Sequence, residues 1–181
     1  MRETGFLQTA DGRVETCWIP PDSPAEASTA LVLLHEGLGC VSMWRNFPER
    51  LAEHTGQGVF AYSRIGYGGS DPCVLPRPLD YMHRDADAIL PTVLDSIDAQ
   101  NIVLIGHSDG ASIAAIYGGS SADTRLVGMV LMAPHFFIES VAITSISAAR
   151  EAFEAGDLRQ RLALYHGSHV DCAFRGWTGA W

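Results

Sequence analysis

Ile102-Val103-Leu104-Ile105-Gly106-His107-Ser108-Asp109-Gly110-Ala111-Ser112-Ile113-Ala114 is the stretch that decides the fold. Its first four residues are apolar and mostly β-branched, as a strand buried on both faces of a sheet requires. Its last four are mostly small, which lets a helix lie close to that sheet. Between them Gly106-His107-Ser108-Asp109-Gly110 is a G-x-S-x-G turn from strand into helix. A serine on such a turn is held in a strained backbone conformation with its hydroxyl exposed, and the flanking glycines remove side chains that would clash. Ser108 is therefore the candidate nucleophile. The backbone N–H of Asp109 lies at the helix N-terminus, where partial positive charge can stabilise an oxyanion.

Working outward, Ala30-Leu31-Val32-Leu33-Leu34-His35 reads as an interior strand. His35-Glu36-Gly37-Leu38-Gly39 leaves it at the carboxyl-terminal edge that Ser108 also occupies. Acyl transfer needs a second oxyanion donor, and a glycine-rich loop can bring its backbone close to substrate, so the Gly37 N–H is the expected partner of Asp109. Trp44, Phe47, Leu51 and His54 recur at helical spacing before the strand Val59-Phe60-Ala61-Tyr62. Residues 80–100 place Met82, Ala86, Ile89, Val93 and Ile97 on one helical stripe, which Pro91 should kink or split. Leu126–Met132 reads as another buried strand. At the N-terminal end, residues 5–19 read as a β-hairpin turning at Asp11-Gly12, and a Pro/Ser/Ala-rich connector covers 20–29. Alternating strands and helices predict an α/β fold with a doubly wound, mostly parallel sheet, whose sites lie beyond the carboxyl ends of the strands.

The 181 residues are 47% hydrophobic, enough for one domain with a core. A net charge of −9, from 12 basic and 21 acidic residues, would repel nucleic acid, and a small neutral molecule is the better-matched partner. The N-terminus lacks the charged and apolar blocks of a signal peptide, and no apolar run reaches the roughly 18–20 residues that span a bilayer. Cys17, Cys40, Cys73 and Cys172 show no short paired spacing, which fits neither a zinc site nor a disulfide framework. They are expected to be reduced thiols of a cytoplasmic protein that does not bind membrane.

Taken in order, His-x-Gly-x-Gly after one strand, Ser63-Arg64-Ile65-Gly66-Tyr67-Gly68-Gly69-Ser70 after the next and Gly-His-Ser-Asp-Gly after the third resemble the α/β-hydrolase superfamily, in particular its small-molecule hydrolases with a helical lid. The resemblance implies a core over 1–136 and an incomplete helical lid over 137–181. It implies a serine hydrolase of ester, thioester or related carbonyl bonds, working through an acyl-enzyme without a cofactor or metal. The 63–70 turn usually begins with aspartate in that family, where this chain has Ser63, a departure expected to alter the turn's hydrogen bonding. The loop after the first interior strand usually begins His-Gly, whereas here Glu36 intervenes and puts a carboxylate near the site. Glu36, His107 and His135 are the expected pocket residues, with His107 projecting away from Ser108. The lid's apolar faces, with Trp177 and Trp181, would line the substrate site.

Such hydrolases carry their acid and histidine after a seventh and an eighth strand, in the order Ser, Asp/Glu, His. Neither strand is present in the sequence, and neither His135 nor His169 is expected to substitute as base. Three readings follow: a C-terminally truncated hydrolase, inactive alone; a short protein completed in trans by a partner, a homodimer included; and a non-catalytic binding module. A cofactor-free perhydrolase would keep the same Ser108.

Overall fold

A computed structural model describes residues 2–21, 23 and 28–181; residues 22 and 24–27 of the predicted connector lie outside the described residues. Among the described residues six strands form one mixed sheet in the order β1-β2-β4-β3-β5-β6. The hairpin is β1 (Glu3–Thr9) and β2 (Gly12–Ile19), paired antiparallel. Thr9 faces Gly12 across it, so the two loop residues are Ala10 and Asp11, one position before the expected turn. Gly12, at φ 132, already belongs to β2.

The interior strands are β3 (Thr29–Leu34), β4 (Gly58–Tyr62) and β5 (Asn101–His107), with β3 parallel to both neighbours. Their side chains divide by the two-residue period of a strand. Ala30, Val32 and Leu34 join Ile102, Leu104 and Phe60 on one face, covered by Ile89, Leu90, Val93, Ile113 and Tyr117. Leu31 and Leu33 join Val59, Ala61 and Ile105 on the other, covered by Val41, Ala52 and Leu51. Those covering residues come from α1 (Phe47–Thr55) and the 3-10 turn before it on one side. On the other they come from the 81–95 helix and α4 (Asp109–Ser120). Helices therefore cover both faces, which is why the strands read as unbroken apolar runs.

The helix over 81–95 is split as Pro91 requires: α2 (Tyr81–Arg84), a π-helical stretch Asp85–Ile89, and α3 (Leu90–Asp95). Proline offers no N–H and crowds the carbonyl four residues back, and a wider turn before it relieves both problems. Among the described residues the strand β6 (Leu126–Met132) pairs only with β5 and forms a sheet edge. The expectation that it is buried is corrected: Val127 is 60% exposed and Val130 48%. Apolar composition reports the environment a strand suits, not whether a neighbour covers it.

After β6 come α5 (Ser140–Ala155), α6 (Leu158–His166) and α7 (Val170–Ala180). They share a separate cluster of Phe153, Leu162, Val170 and Phe174, against which Leu38 and Trp177 pack. No helix among the described residues is long and apolar enough to cross a membrane. The four cysteines are free thiols, but Cys73 and Cys172 are not scattered. The Cys73 N–H donates to Cys172 Sγ at 3.1 Å, joining α7 to the loop after β4. Burial pushes the Cys172 thiol up to about 11 and favours its protonated form.

Candidate active site

Parallel β3, β5 and β6 end side by side, and the segments leaving them converge. Ser108 follows β5 directly, with φ 52 and ψ −117, a conformation that the turn imposes on a residue other than glycine. Its backbone N–H donates to Met132 O at 2.8 Å, tying the turn to the end of β6. The chain leaving β6 then bends at Ala133, φ 51, and returns over the serine. Ser112 Oγ in the first turn of α4 accepts the His135 N–H at 2.8 Å and fixes where that bend arrives.

The result is a bond that the sequence reading did not foresee: Ser108 Oγ lies 2.8 Å from His135 Nε2. With a proton-free Nε2 the serine hydroxyl is the donor. Two structural features outside local periodicity produce it, the positive φ at Ala133 and the Ser112 anchor. One signal was legible, since His135 lies three residues beyond the end of the strand adjacent to the nucleophile's own. No carboxylate hydrogen-bonds to His135 among the described residues, whereas the Trp181 ring packs edge-on against it, centroids 4.9 Å apart.

Ser108 and His135 open into a cavity of about 350 Å³ that Glu36, Gly37, Leu38, His107, Ile146, Trp177 and Trp181 also line. All the expected pocket residues thus share one cavity. Its apolar wall comes largely from α5 and α7. His107 Nδ1 sits 3.5 Å from Glu36 Oε2, so the extra carboxylate of the 35–39 loop faces an imidazole, not an arginine or open solvent alone. Trp177 rests on Gly37 so closely that a Cβ there would meet its indole at 2.3 Å. Asp109 turns its carboxylate the other way, into the protein, where Tyr81 Oη donates to it at 2.7 Å and Arg64 lies 3.6 Å away. Its backbone N–H belongs to the first turn of α4 and so lacks an intrahelical acceptor.

Beneath the site is a buried polar layer. Arg64, fully buried, pairs with Asp85 at 3.5 Å as well as with Asp109, and stacks on Tyr67 at 4.9 Å. Where the resembled family has aspartate, Ser63 donates to Glu15 Oε2 at 2.6 Å and accepts the Val41 N–H at 2.8 Å. Glu15 also accepts the Gly69 N–H at 3.0 Å. A carboxylate of β2 thus holds both ends of this turn.

Two histidines here are neutral by construction. His35 Nε2 accepts the Arg64 N–H at 3.0 Å, which leaves the proton on Nδ1. His166 Nδ1 accepts the Gly68 N–H at 3.0 Å while Nε2 donates to Leu38 O, pinning α6 to the site loops. Burial, with the Arg64 charge in second place, holds His35 well below the usual histidine range, and burial lowers His166 too. The folded protein resists protonation that the unfolded chain accepts below about pH 6.5, so stability is fully present above that pH and lost as pH falls. Urea unfolding is expected to show a plateau above about pH 7 and a fall toward pH 5. The slope should reach up to about 1.4 kcal/mol per pH unit for each histidine. His166→Gln should reduce that slope; an unchanged slope in the variant would show that other groups carry it.

The Alpha/beta hydrolase family model matches residues 31–180. Among solved structures, a Bacillus subtilis protein described as a hydrolase superposes with TM-score 0.69 at 16% identity, over 97% of this chain and 61% of its own. A proline iminopeptidase of Mycobacterium smegmatis gives 0.65 at 18% identity, over 94% and 58%. A Bacillus subtilis carboxylesterase gives 0.63 at 19% identity, over 100% and 62%. At such identities these likenesses carry the fold alone, and the chain spans about 60% of the length of those structures. No curated protein matches the sequence. A family match over most of the chain, on a sheet that brings strand-to-helix serine, glycine loop and histidine together, leads to one assignment: the chain belongs to the α/β-hydrolase family.

Proposed function

We propose that this site is that of a serine hydrolase which cleaves an ester, thioester or related carbonyl bond of a small, largely apolar molecule through an acyl-enzyme on Ser108. The observation that carries the reading is the strained Ser108 turn with its hydroxyl 2.8 Å from an imidazole nitrogen at the mouth of an apolar cavity. In acylation, Ser108 Oγ bonds to the carbonyl carbon, its proton passes to His135 Nε2, and the C=O π pair moves onto oxygen. The Gly37 and Asp109 N–H groups hold that oxyanion. Collapse restores the carbonyl and expels an alcohol or thiol, which takes the proton back from His135; water then repeats the sequence and frees the acid.

The three C-terminal helices act as a lid, with Trp177 and Trp181 lining the cavity beside the reacting atoms. A serine–histidine pair without a carboxylate lacks the group that holds the imidazolium in place, and removing that group from a triad costs on the order of 10⁴ in turnover. The 181 residues alone therefore acylate slowly and turn over negligibly. The test is the intact mass after treatment with an alkyl fluorophosphonate. One adduct that Ser108→Ala removes is expected. No adduct on the folded chain, or one that survives the substitution, would overturn the assignment and favour a non-catalytic binding module.

A further inference from the structure

We propose that His35 and Arg64 are positioning residues that set the oxyanion hole by pinning the Glu36 carbonyl, so that the Gly37 N–H is presented to the site before substrate arrives. The inference rests on the serine-hydrolase reading above and adds to it the residues that aim one of the two donors.

The Glu36 carbonyl oxygen is unusually well held. It accepts from His35 Nδ1 at 2.7 Å, from Arg64 Nη2 at 3.0 Å and from the Gly39 N–H at 3.0 Å. A carbonyl has two lone pairs, so three donors saturate it and fix its direction. The peptide that follows is planar and trans, which places the Gly37 N–H opposite the pinned carbonyl. That N–H has no acceptor among the described residues, while Gly37 lines the same cavity as Ser108. An unpaired donor at a cavity wall, with its peptide locked from behind, is what electrostatic preorganisation requires: no dipole must reorient when charge develops.

The locking groups are themselves locked. His35 is 1% exposed and receives the Arg64 backbone N–H on Nε2, which makes Nδ1 the donating nitrogen. The Arg64 guanidinium is buried and held by Asp85 and Tyr67. It also lies 3.6 Å from the carboxylate of Asp109, whose backbone N–H is the second oxyanion donor. One buried cation thus touches both halves of the hole, the peptide before Gly37 and the side chain of Asp109. Its charge further opposes any flip that would turn the Glu36 carbonyl oxygen away from it and toward the nascent oxyanion.

The experiment compares two ketones with the same alkyl chain. A trifluoromethyl ketone adds Ser108 Oγ reversibly and places an oxyanion in the hole; the methyl ketone fills the cavity but stays trigonal. Both are titrated against the full chain and its His35→Gln and Arg64→Lys variants, with folding checked by circular dichroism. Each variant is expected to bind the trifluoromethyl ketone at least tenfold more weakly and the methyl ketone within twofold of the unaltered chain. Equal losses for both ketones would indicate a general loosening of the cavity and overturn the proposal, as would no loss for either. Failure of the unaltered chain to form a Ser108 adduct with the trifluoromethyl ketone would instead defeat the serine-hydrolase reading beneath it. Should neither variant fold, the amide proton of Gly37 in the unaltered chain decides: it must shift downfield when the adduct forms, and an unmoved resonance would refute the assignment.

Discussion

His135→Ala is expected to slow fluorophosphonate labelling of Ser108 by 100-fold or more, with the circular dichroism spectrum unchanged. General-base assistance contributes typically 10²–10⁴ to such steps, and a serine hydroxyl without a base is a weak nucleophile. Among the described residues His135 is the imidazole in contact with Ser108 Oγ. His107 is the last residue of β5 but faces the Glu36 carboxylate, and His169 lies in the 3-10 turn before α7 and does not line the cavity. The side chain of His135 is partly exposed, so its loss removes the contact with Trp181 but little core packing. Labelling rates at pH 8 for the unaltered and substituted chains make the measurement. Equal rates would mean that the 2.8 Å contact is packing at a pocket wall, and that activation of Ser108 needs a base from elsewhere.

How far the sequence carried this reading depended on whether the decisive contact was local. Strand β3 was legible because Ala30, Val32 and Leu34 face one cluster while Leu31 and Leu33 face another, so burial on both sides is written into a run of six residues. The Ser108 turn was legible because glycine, serine and glycine meet a backbone requirement within five positions. The Pro91 break was legible for the same reason. Contacts between distant positions were not. Glu15 bonds to Ser63 of the 63–70 turn from 48 residues away, and His166 reaches Gly68 across 98. Neither residue has a neighbour in sequence that hints at its partner. Arg64 stood inside a quoted motif, yet its pairing with the Glu36 carbonyl depends on β3 and β4 lying side by side. The exposure of β6 followed from sheet order, to which its composition is blind.

Gly110→Ala should be among the most damaging single substitutions in the chain, while Gly119→Ala, in the same helix, should stabilise it. A Cβ at Gly110 would lie 2.1 Å from Leu34 O, 2.5 Å from Leu34 C and 2.7 Å from His35 O. All three are backbone atoms at the end of an interior strand, so no side-chain rotation relieves the overlap. Either α4 must move off the sheet or the end of β3 must shift. Overpacking a core costs typically 1–3 kcal/mol and more where the backbone must yield. We expect a loss of at least about 3 kcal/mol, a large part of the 5–15 kcal/mol that holds a domain together. The same displacement would move Leu34 and His35, which launch the Gly37 loop, so labelling of Ser108 should fail in whatever folded fraction remains. At Gly119 an added Cβ meets nothing within 4 Å, and replacing glycine with alanine inside a helix gains about 0.5–1 kcal/mol. Urea denaturation of the two variants in parallel makes the comparison. Helix propensity alone predicts stabilisation at both positions, so opposite signs would show that close approach of α4 to β3 fixes the identity of Gly110. A stable, labelling-competent Gly110→Ala chain would mean that the strand-to-helix turn has slack, and that strain at Ser108 is not imposed by the sheet beneath it.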